Sequence, residues 1–135
     1  MKYLLDTNIC IYLMKGKYPA LADKILSLRP ENVCISAITV YELEYGAAKS
    51  KWGSRTRQKM RVFLSPFNIL PFTDKDAVSA GNIRSCLEAW GKPIGAYDIL
   101  IAAQAISGGM TVITHNVQEF SRVPNLKTED WTSSE

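Results

Sequence analysis

Short apolar segments alternate with helical patterns along the chain, and this alternation constrains the fold more than any other feature. Strand patterns occupy residues 2–5, 33–36, 68–71 and 110–114, and the polar tail after Pro124 is expected to add an edge strand. Helical patterns cover residues 9–15, 20–28, 54–64 and 98–107, and two more helices are expected to start at Thr39 and Thr73. Strands that alternate with helices predict an α/β fold with a parallel sheet covered on both faces.

Length and composition agree with a globular α/β domain. The 135 residues, 47% of them hydrophobic and 21% charged, predict a single domain spanning residues 1–135. The longest aliphatic run, residues 99–103, is far shorter than the roughly 18 residues that a membrane span requires, so no membrane association is expected. An acid at position 6 argues against a signal peptide.

Three scattered cysteines bear on the cellular compartment. Cys10, Cys34 and Cys86 are odd in number and lack C-x-x-C spacing, which argues against a disulfide framework or a cysteine zinc site. We expect a reduced, cytoplasmic protein in which all three pack as small apolar residues.

Acidic and amide residues follow several of the predicted strands. Asp6 ends the first strand, Glu42 is expected in the first turn of the next strand's helix, and Asp98 is expected to open the apolar helix. Asn116 and Glu119 follow the strand at 110–114. The carboxyl ends of parallel strands share one edge, so these side chains should converge. Repulsion among such carboxylates is relieved by a hard divalent cation, the usual arrangement of metal-dependent nucleases.

Each of these residues also has an ordinary structural explanation. Acids stabilise the first turn of a helix, and Asp or Asn is common in turns after strands. Six other acids are expected to be solvated on the surface: Glu44, Asp74, Asp76, Glu88, Glu129 and Asp130.

Four segments together resemble the PIN-domain ribonucleases and, more narrowly, the VapC toxins of bacterial toxin–antitoxin pairs. They are LLDTNI at 4–9, ITVYELEYG at 38–46, PIGAYD at 93–98 and THNVQEF at 114–120. The resemblance extends over almost the whole chain. It implies a PIN domain with a parallel, about five-stranded β-sheet flanked by α-helices on both faces.

The resemblance also implies an activity, a Mg²⁺-dependent (or Mn²⁺-dependent) endoribonuclease that hydrolyses RNA phosphodiester bonds. Asp6, Glu42 and Asp98 match the family's acidic catalytic and metal-site positions. Asn116 stands where many members carry a fourth acid, so the fourth ligand is open between Asn116 and Glu119. Thr7 and Thr114 match polar positions that are expected to orient the acids.

Three partners follow from the same resemblance: RNA, a cognate VapB-type antitoxin, and a second copy of the chain. The expected assemblies are therefore a homodimer and a toxin–antitoxin hetero-oligomer. The segment at 114–120 and the tail are most similar to enteric members that cut initiator tRNA in its anticodon stem-loop.

A basic segment between residues 49 and 61 contains no acid. RNA phosphate contact is one interpretation of this segment, and a solvated helix face is the other. The expected RNA-binding residues are the six lysines and arginines of this segment and the single histidine: Lys49, Lys51, Arg55, Arg57, Lys59, Arg61 and His115.

Two alternative functions differ in chemistry. A phosphatase of the haloacid-dehalogenase type also has an Asp after its first strand, but it needs a second acid where this chain has Asn8. A PIN-like module that binds RNA or antitoxin without cleavage is supported only by Asn116.

Overall fold

The computed structural model describes residues 1–133 and contains five parallel strands in one sheet. The strands are β1 (Tyr3–Leu5), β2 (Val33–Ser36), β3 (Asn68–Leu70), β4 (Thr111–Ile113) and β5 (Lys127–Glu129), in the order β3-β2-β1-β4-β5. The predicted parallel sheet is confirmed, and the polar tail does supply its edge strand, β5.

Within the described residues, seven α-helices accompany these strands. They are α1 (Thr7–Lys15), α2 (Pro19–Leu26), α3 (Ala37–Lys49), α4 (Gly53–Leu64), α5 (Asp74–Ala89), α6 (Ala96–Gly108) and α7 (Val117–Phe120). Within residues 1–133, no helix is long and apolar enough to cross a membrane.

The central strand β1 divides the interior into two apolar layers, because successive side chains of a strand point to opposite faces. Leu4 packs in a layer with residues of α5 and α6, and Leu5 packs in a second layer with residues of α1 to α4. Both leucines are fully buried, and each such burial stabilises the fold by about 1.5–3 kcal/mol. Helices therefore cover both faces, as the sequence predicts.

Three helices begin two residues earlier than expected: α1 starts at Thr7 rather than at residue 9, and the earlier starts of α3 and α6 change the helical position of a candidate site acid. Ser36 rather than Thr39 caps α3, since its hydroxyl accepts a hydrogen bond of 2.9 Å from the Ile38 N–H. Glu42 consequently lies in the second turn of α3, not the first. Similarly, Asp98 does not open α6: Gly95 caps that helix, and Asp98 lies within its first turn.

Several acids expected on the solvated surface have protein partners instead. Thr73 caps α5 as predicted, but Asp76 completes a reciprocal capping box with it and is buried. Glu44 pairs with Arg57 at 3.0 Å. Of the three cysteines, Cys10 and Cys34 are buried as expected, whereas Cys86 is exposed on α5.

Candidate active site

Asp6, Glu42 and Asp98 line a single cavity of about 210 Å³, although they lie far apart in the sequence. The turn after β1 supplies Asp6, Thr7 and Asn8, α3 supplies Glu42, and the start of α6 with its preceding loop supplies residues 95–98. The cavity thus opens at the carboxyl edge of the sheet, where an α/β fold usually binds its ligand.

The buried Asp6 carboxylate accepts two hydrogen bonds from its own protein. Its Oδ1 accepts the Ile9 N–H at 2.8 Å and thereby caps α1, and its carboxylate also receives a side-chain hydrogen bond from Thr114. Burial and the nearby Glu42 carboxylate nevertheless raise the pKa of Asp6 from 3.8 to about 6, although the two hydrogen bonds act in the opposite direction. A cation bound in the cavity would stabilise the ionised carboxylate and so lower the pKa of Asp6.

Glu42 is held by a chain of two threonine hydroxyls. The Thr7 hydroxyl donates to Glu42 Oε1 at 2.7 Å, and the hydroxyl oxygens of Thr7 and Thr39 are 2.9 Å apart. Because the single hydroxyl proton of Thr7 points at Glu42, Thr39 must donate to Thr7. Thr39 is fully buried and was not among the predicted site residues. Thr39 precedes Glu42 by three residues in α3, and this spacing places the two residues on the same face of the helix, which the sequence could have indicated.

Glu119 and Asp98 are neighbouring carboxyl groups that affect each other's pKa. Burial, the side-chain hydrogen bond with Glu119 and the nearby carboxylates of Asp6 and Glu42 together raise the pKa of Asp98 from 3.8 to about 7. Burial alone would raise the pKa of Glu119 as well, but hydrogen bonds from the Gly95 N–H, Asp98 and Asn116 together lower it.

The two candidates for the fourth ligand differ in what they contact. Glu119 Oε1 accepts the Gly95 N–H at 2.8 Å, and Glu119 Oε2 accepts the Asn116 side-chain amide. Glu119 therefore adjoins Asp98, whereas Asn116 orients Glu119. Gly95 was also missed by the sequence analysis. A Cβ there would lie 3.1 Å from Asp98 Oδ2, so glycine allows the loop to approach both acids.

The cavity offers carboxylate oxygens, which are the donors that a hard divalent cation prefers. In the described part of the chain, no three His, Cys, Asp or Glu side chains lie together as a metal-binding group. The Glu42 carboxylate is turned toward Thr7, and that of Glu119 toward Gly95 and Asn116. Mg²⁺ usually keeps several waters and takes only one or two protein carboxylates, so two of the acids that line the cavity would be enough to hold it. The residues therefore fit a hydrated hard cation.

His115 lies beside this site in a defined orientation. Its Nδ1 is 3.0 Å from Asp130 Oδ2 and 3.0 Å from Thr132 Oγ1. The Thr132 hydroxyl already donates to Asp130 Oδ1 at 2.6 Å, so Nδ1 must be the donor toward both oxygens. Asp130 is thus a partner of His115 rather than a free surface acid, and Glu129 accepts a hydrogen bond from the Trp131 indole.

The basic segment divides into residues that face a second cavity and residues that do not. Arg55 and Lys59 line a groove of about 590 Å³ between α1, α3 and α4, which has an apolar floor that includes Leu43 and Met60 and also reaches Glu42. Arg57 pairs with Glu44. The ammonium group of Lys49 lies over the Tyr45 ring, and that of Lys51 over the Trp52 ring. Arg61 is exposed.

Comparisons with known proteins point to one family. The model of the PIN domain matches residues 3–126. The chain is 40% identical to the tRNA(fMet)-specific endonuclease VapC of Shigella flexneri, over 98% of this chain and 99% of that protein. It is 45% identical to ribonuclease VapC2 of Haemophilus influenzae strain Rd, over 97% and 98% respectively.

Solved structures agree with these sequence relatives. A complex of VapBC2 from Rickettsia felis with a promoter DNA fragment contains a chain that matches with a TM-score of 0.91 and 38% identity, covering 97% of this chain and 99% of that one. DNA-bound VapBC from Salmonella typhimurium matches with a TM-score of 0.91 and 39% identity, covering 97% and 98%.

Proposed function

The chain belongs to the PIN-domain family as a ribonuclease of the VapC type, and on that premise we propose that Asp6, Glu42 and Asp98 carry out metal-dependent hydrolysis of RNA. It is the toxin component of a toxin–antitoxin pair. The observation that carries the proposal is the convergence of three acids from three separate segments on one cavity. Its relatives' nuclease names favour this function over the binding-only alternative.

The proposed cofactor is Mg²⁺, with Mn²⁺ as the related ion. Asp6 and Asp98 are the proposed direct ligands, and Glu42 and Glu119 act through water or after a side-chain rotation. A bound divalent cation supplies positive charge to the phosphodiester and lowers the pKa of a water.

The chain's own residues have distinct proposed roles. Glu42 orients the attacking water, and the hydrogen bonds from Thr39 through Thr7 keep its carboxylate in place. Thr114 orients Asp6. Glu119 is proposed as the fourth acid of the site, with Asn116 holding it beside Asp98.

The proposed substrate is initiator tRNA, cut in the anticodon stem-loop. This proposal rests on the names of the relatives from Shigella flexneri and Salmonella typhimurium, both given as tRNA(fMet)-specific endonucleases. Arg55 and Lys59 are the proposed phosphate contacts, because they line the groove that reaches Glu42. His115 is a further proposed RNA contact.

The proposed protein partners are a VapB-type antitoxin and a second copy of the chain. The solved relatives are VapBC complexes. The groove between α1, α3 and α4 is the proposed antitoxin site, since its apolar floor suits an amphipathic helix and its Arg55 and Lys59 suit acidic side chains. We further propose that the chain is a single domain; its last two residues, 134 and 135, lie outside the described part.

An RNA digestion assay tests this function. Purified protein, free of antitoxin, is incubated with total RNA and with an initiator tRNA anticodon stem-loop in Mg²⁺. Parallel samples contain EDTA, Asp98→Asn protein, or Asp74→Asn protein as a matched control in which an exposed acid is neutralised.

Discrete fragments with wild-type and Asp74→Asn protein, absent from the EDTA and Asp98→Asn samples, are the expected result. Intact RNA with folded wild-type protein would overturn the proposal, and cleavage of total RNA but not of the stem-loop would overturn only the tRNA target.

A further inference from the structure

Two tyrosines form an exposed pair at the rim of the acidic cavity. Tyr41 on α3 precedes Glu42, and Tyr97 at the start of α6 precedes Asp98 and lines the cavity itself. Their ring centroids are 5.5 Å apart with an interplanar angle of 69°, and their hydroxyl oxygens are 3.1 Å apart. The two rings are therefore fixed relative to each other by an edge-to-face contact and a hydrogen bond.

The pair remains exposed despite its size. Tyr41 is 53% exposed and Tyr97 is 43% exposed, and both side chains stand outside the two apolar layers of the fold. Their packing against each other leaves aromatic surface in water, beside the carboxylates. A large exposed aromatic surface at a polar site is typical of ligand or partner contact.

We propose that the Tyr41–Tyr97 pair is a stacking platform for the unpaired base next to the scissile phosphate. The inference rests on the proposed function, because it requires that RNA enters the cavity. Each base is joined to its phosphate through one sugar. A phosphate held in the cavity therefore places a neighbouring base near Tyr97, which lines the same cavity, and near Tyr41, which contacts Tyr97.

The position of the pair favours a nucleobase over a second protein as its occupant. Aromatic residues serve both roles in general. These two, however, flank the acids from two different helices, and Tyr97 forms part of the cavity wall. A base can stack here only after it leaves its own helix, so the platform selects a phosphate in a loop over one in a duplex.

A fluorescence experiment tests this without depending on cleavage. An initiator tRNA anticodon stem-loop, with 2-aminopurine at one loop position at a time, is titrated with Asp98→Asn protein in Mg²⁺. Stacking on tyrosine should quench the fluorophore at one position. The same titration is repeated with double variants that carry Asp98→Asn together with Tyr97→Ala, Tyr97→Phe or Tyr41→Ala. Trp90→Ala serves as a control for an aromatic side chain of similar exposure (55%) at the end of α5.

We expect the quench to persist with Tyr97→Phe and Trp90→Ala and to disappear with Tyr97→Ala. Loss of the ring should weaken RNA binding by roughly 5- to 100-fold. In cleavage by protein that retains Asp98, an abasic nucleotide at the quenched position should lower kcat/KM for wild type by a similar factor. With Tyr97→Ala, the same nucleotide should have no further effect, because the contact is already absent.

The possible negative results can be distinguished from one another. Quenching and affinity that are unchanged in both alanine variants would overturn the platform while leaving the ribonuclease function intact. Absence of RNA binding and of cleavage by wild-type protein would overturn the proposed function and, with it, the platform. Conversion of a dimer to a monomer by Tyr97→Ala, measured by analytical ultracentrifugation, with RNA affinity per chain unchanged, would reassign the pair to a contact between copies.

Discussion

Neutralising Asp6 is expected to stabilise the metal-free protein while it destroys the site. Asp6→Asn removes a buried charge but keeps an Oδ1 that can accept the Ile9 N–H, so the cap of α1 is retained. The pKa of Asp6 is raised from 3.8 to about 6. At 1.36 kcal/mol per pH unit, ionisation of this group costs the fold up to about 3 kcal/mol.

The sign of the pH dependence follows from the raised pKa. Between pH 4 and 6 the folded state binds the Asp6 proton and the unfolded state has released it, so the free energy of unfolding falls as the pH rises through this window. Above pH 6 the full penalty is present in the wild type and absent in Asp6→Asn. The variant should be the more stable protein at pH 8 and nearly equal to wild type at pH 4.

Urea denaturation in EDTA at pH 8 and pH 4 measures this difference. Asp74→Asn, which neutralises an exposed acid in the first turn of α5, is the matched control and should show no comparable gain at pH 8. Saturating Mg²⁺ should stabilise the wild type more than Asp6→Asn and so narrow the difference. A variant that is less stable than wild type at pH 8, or equally stabilised at both pH values, would refute the reasoning.

Three further substitutions test other parts of the site. Asp98→Asn should reduce cleavage of RNA at least about 100-fold in a gel assay while the circular dichroism spectrum stays unchanged, and cleavage at the wild-type rate would remove Asp98 from the site. Thr39→Val should lower kcat roughly 10-fold by freeing Glu42, whereas Thr39→Ser should retain activity; equal losses in both would argue against the hydroxyl chain. Arg55→Ala should weaken RNA binding and reduce the slope of log affinity against log salt by about 0.7, whereas Arg57→Ala, which loses only the pair with Glu44, should change the slope little.

Strands β1 to β4 were predictable because each carries a compact apolar signal, whereas the polar edge strand β5 was expected only from the alternation of strands and helices. Val33–Ser36 is fully buried, and its predicted bounds coincide with β2. The predicted first residues of the helices were less accurate, because more than one residue near a helix start can serve as its N-cap. Both Ser36 and Thr39 have suitable hydroxyls, and the end of the extended backbone at Ser36 decided between them.

The convergence of three acids on one cavity could be predicted from the sequence, whereas the groups that hold these acids in place could not. Asp6, Glu42 and Asp98 do meet at one cavity, as parallel topology requires. The contribution of Thr39 to Glu42, and of the Gly95 N–H to Glu119, depends on side-chain and backbone directions that no residue spacing specifies. Asp76 and Asp130 were assigned to solvent because a polar neighbourhood in sequence does not reveal a capping box or a histidine partner.

The place of β1 in the sheet also affects how the protein is made. β1 precedes every other strand in the chain, yet it lies between β2 and β4, so its second partner, Thr111–Ile113, is synthesised long after it. Asp6 therefore leaves the ribosome long before Asp98 and the strand that completes the sheet around it. Such distant pairing slows folding. A growing chain therefore cannot bring Asp6, Glu42 and Asp98 to one cavity before the segment that contains Asp98 has been made.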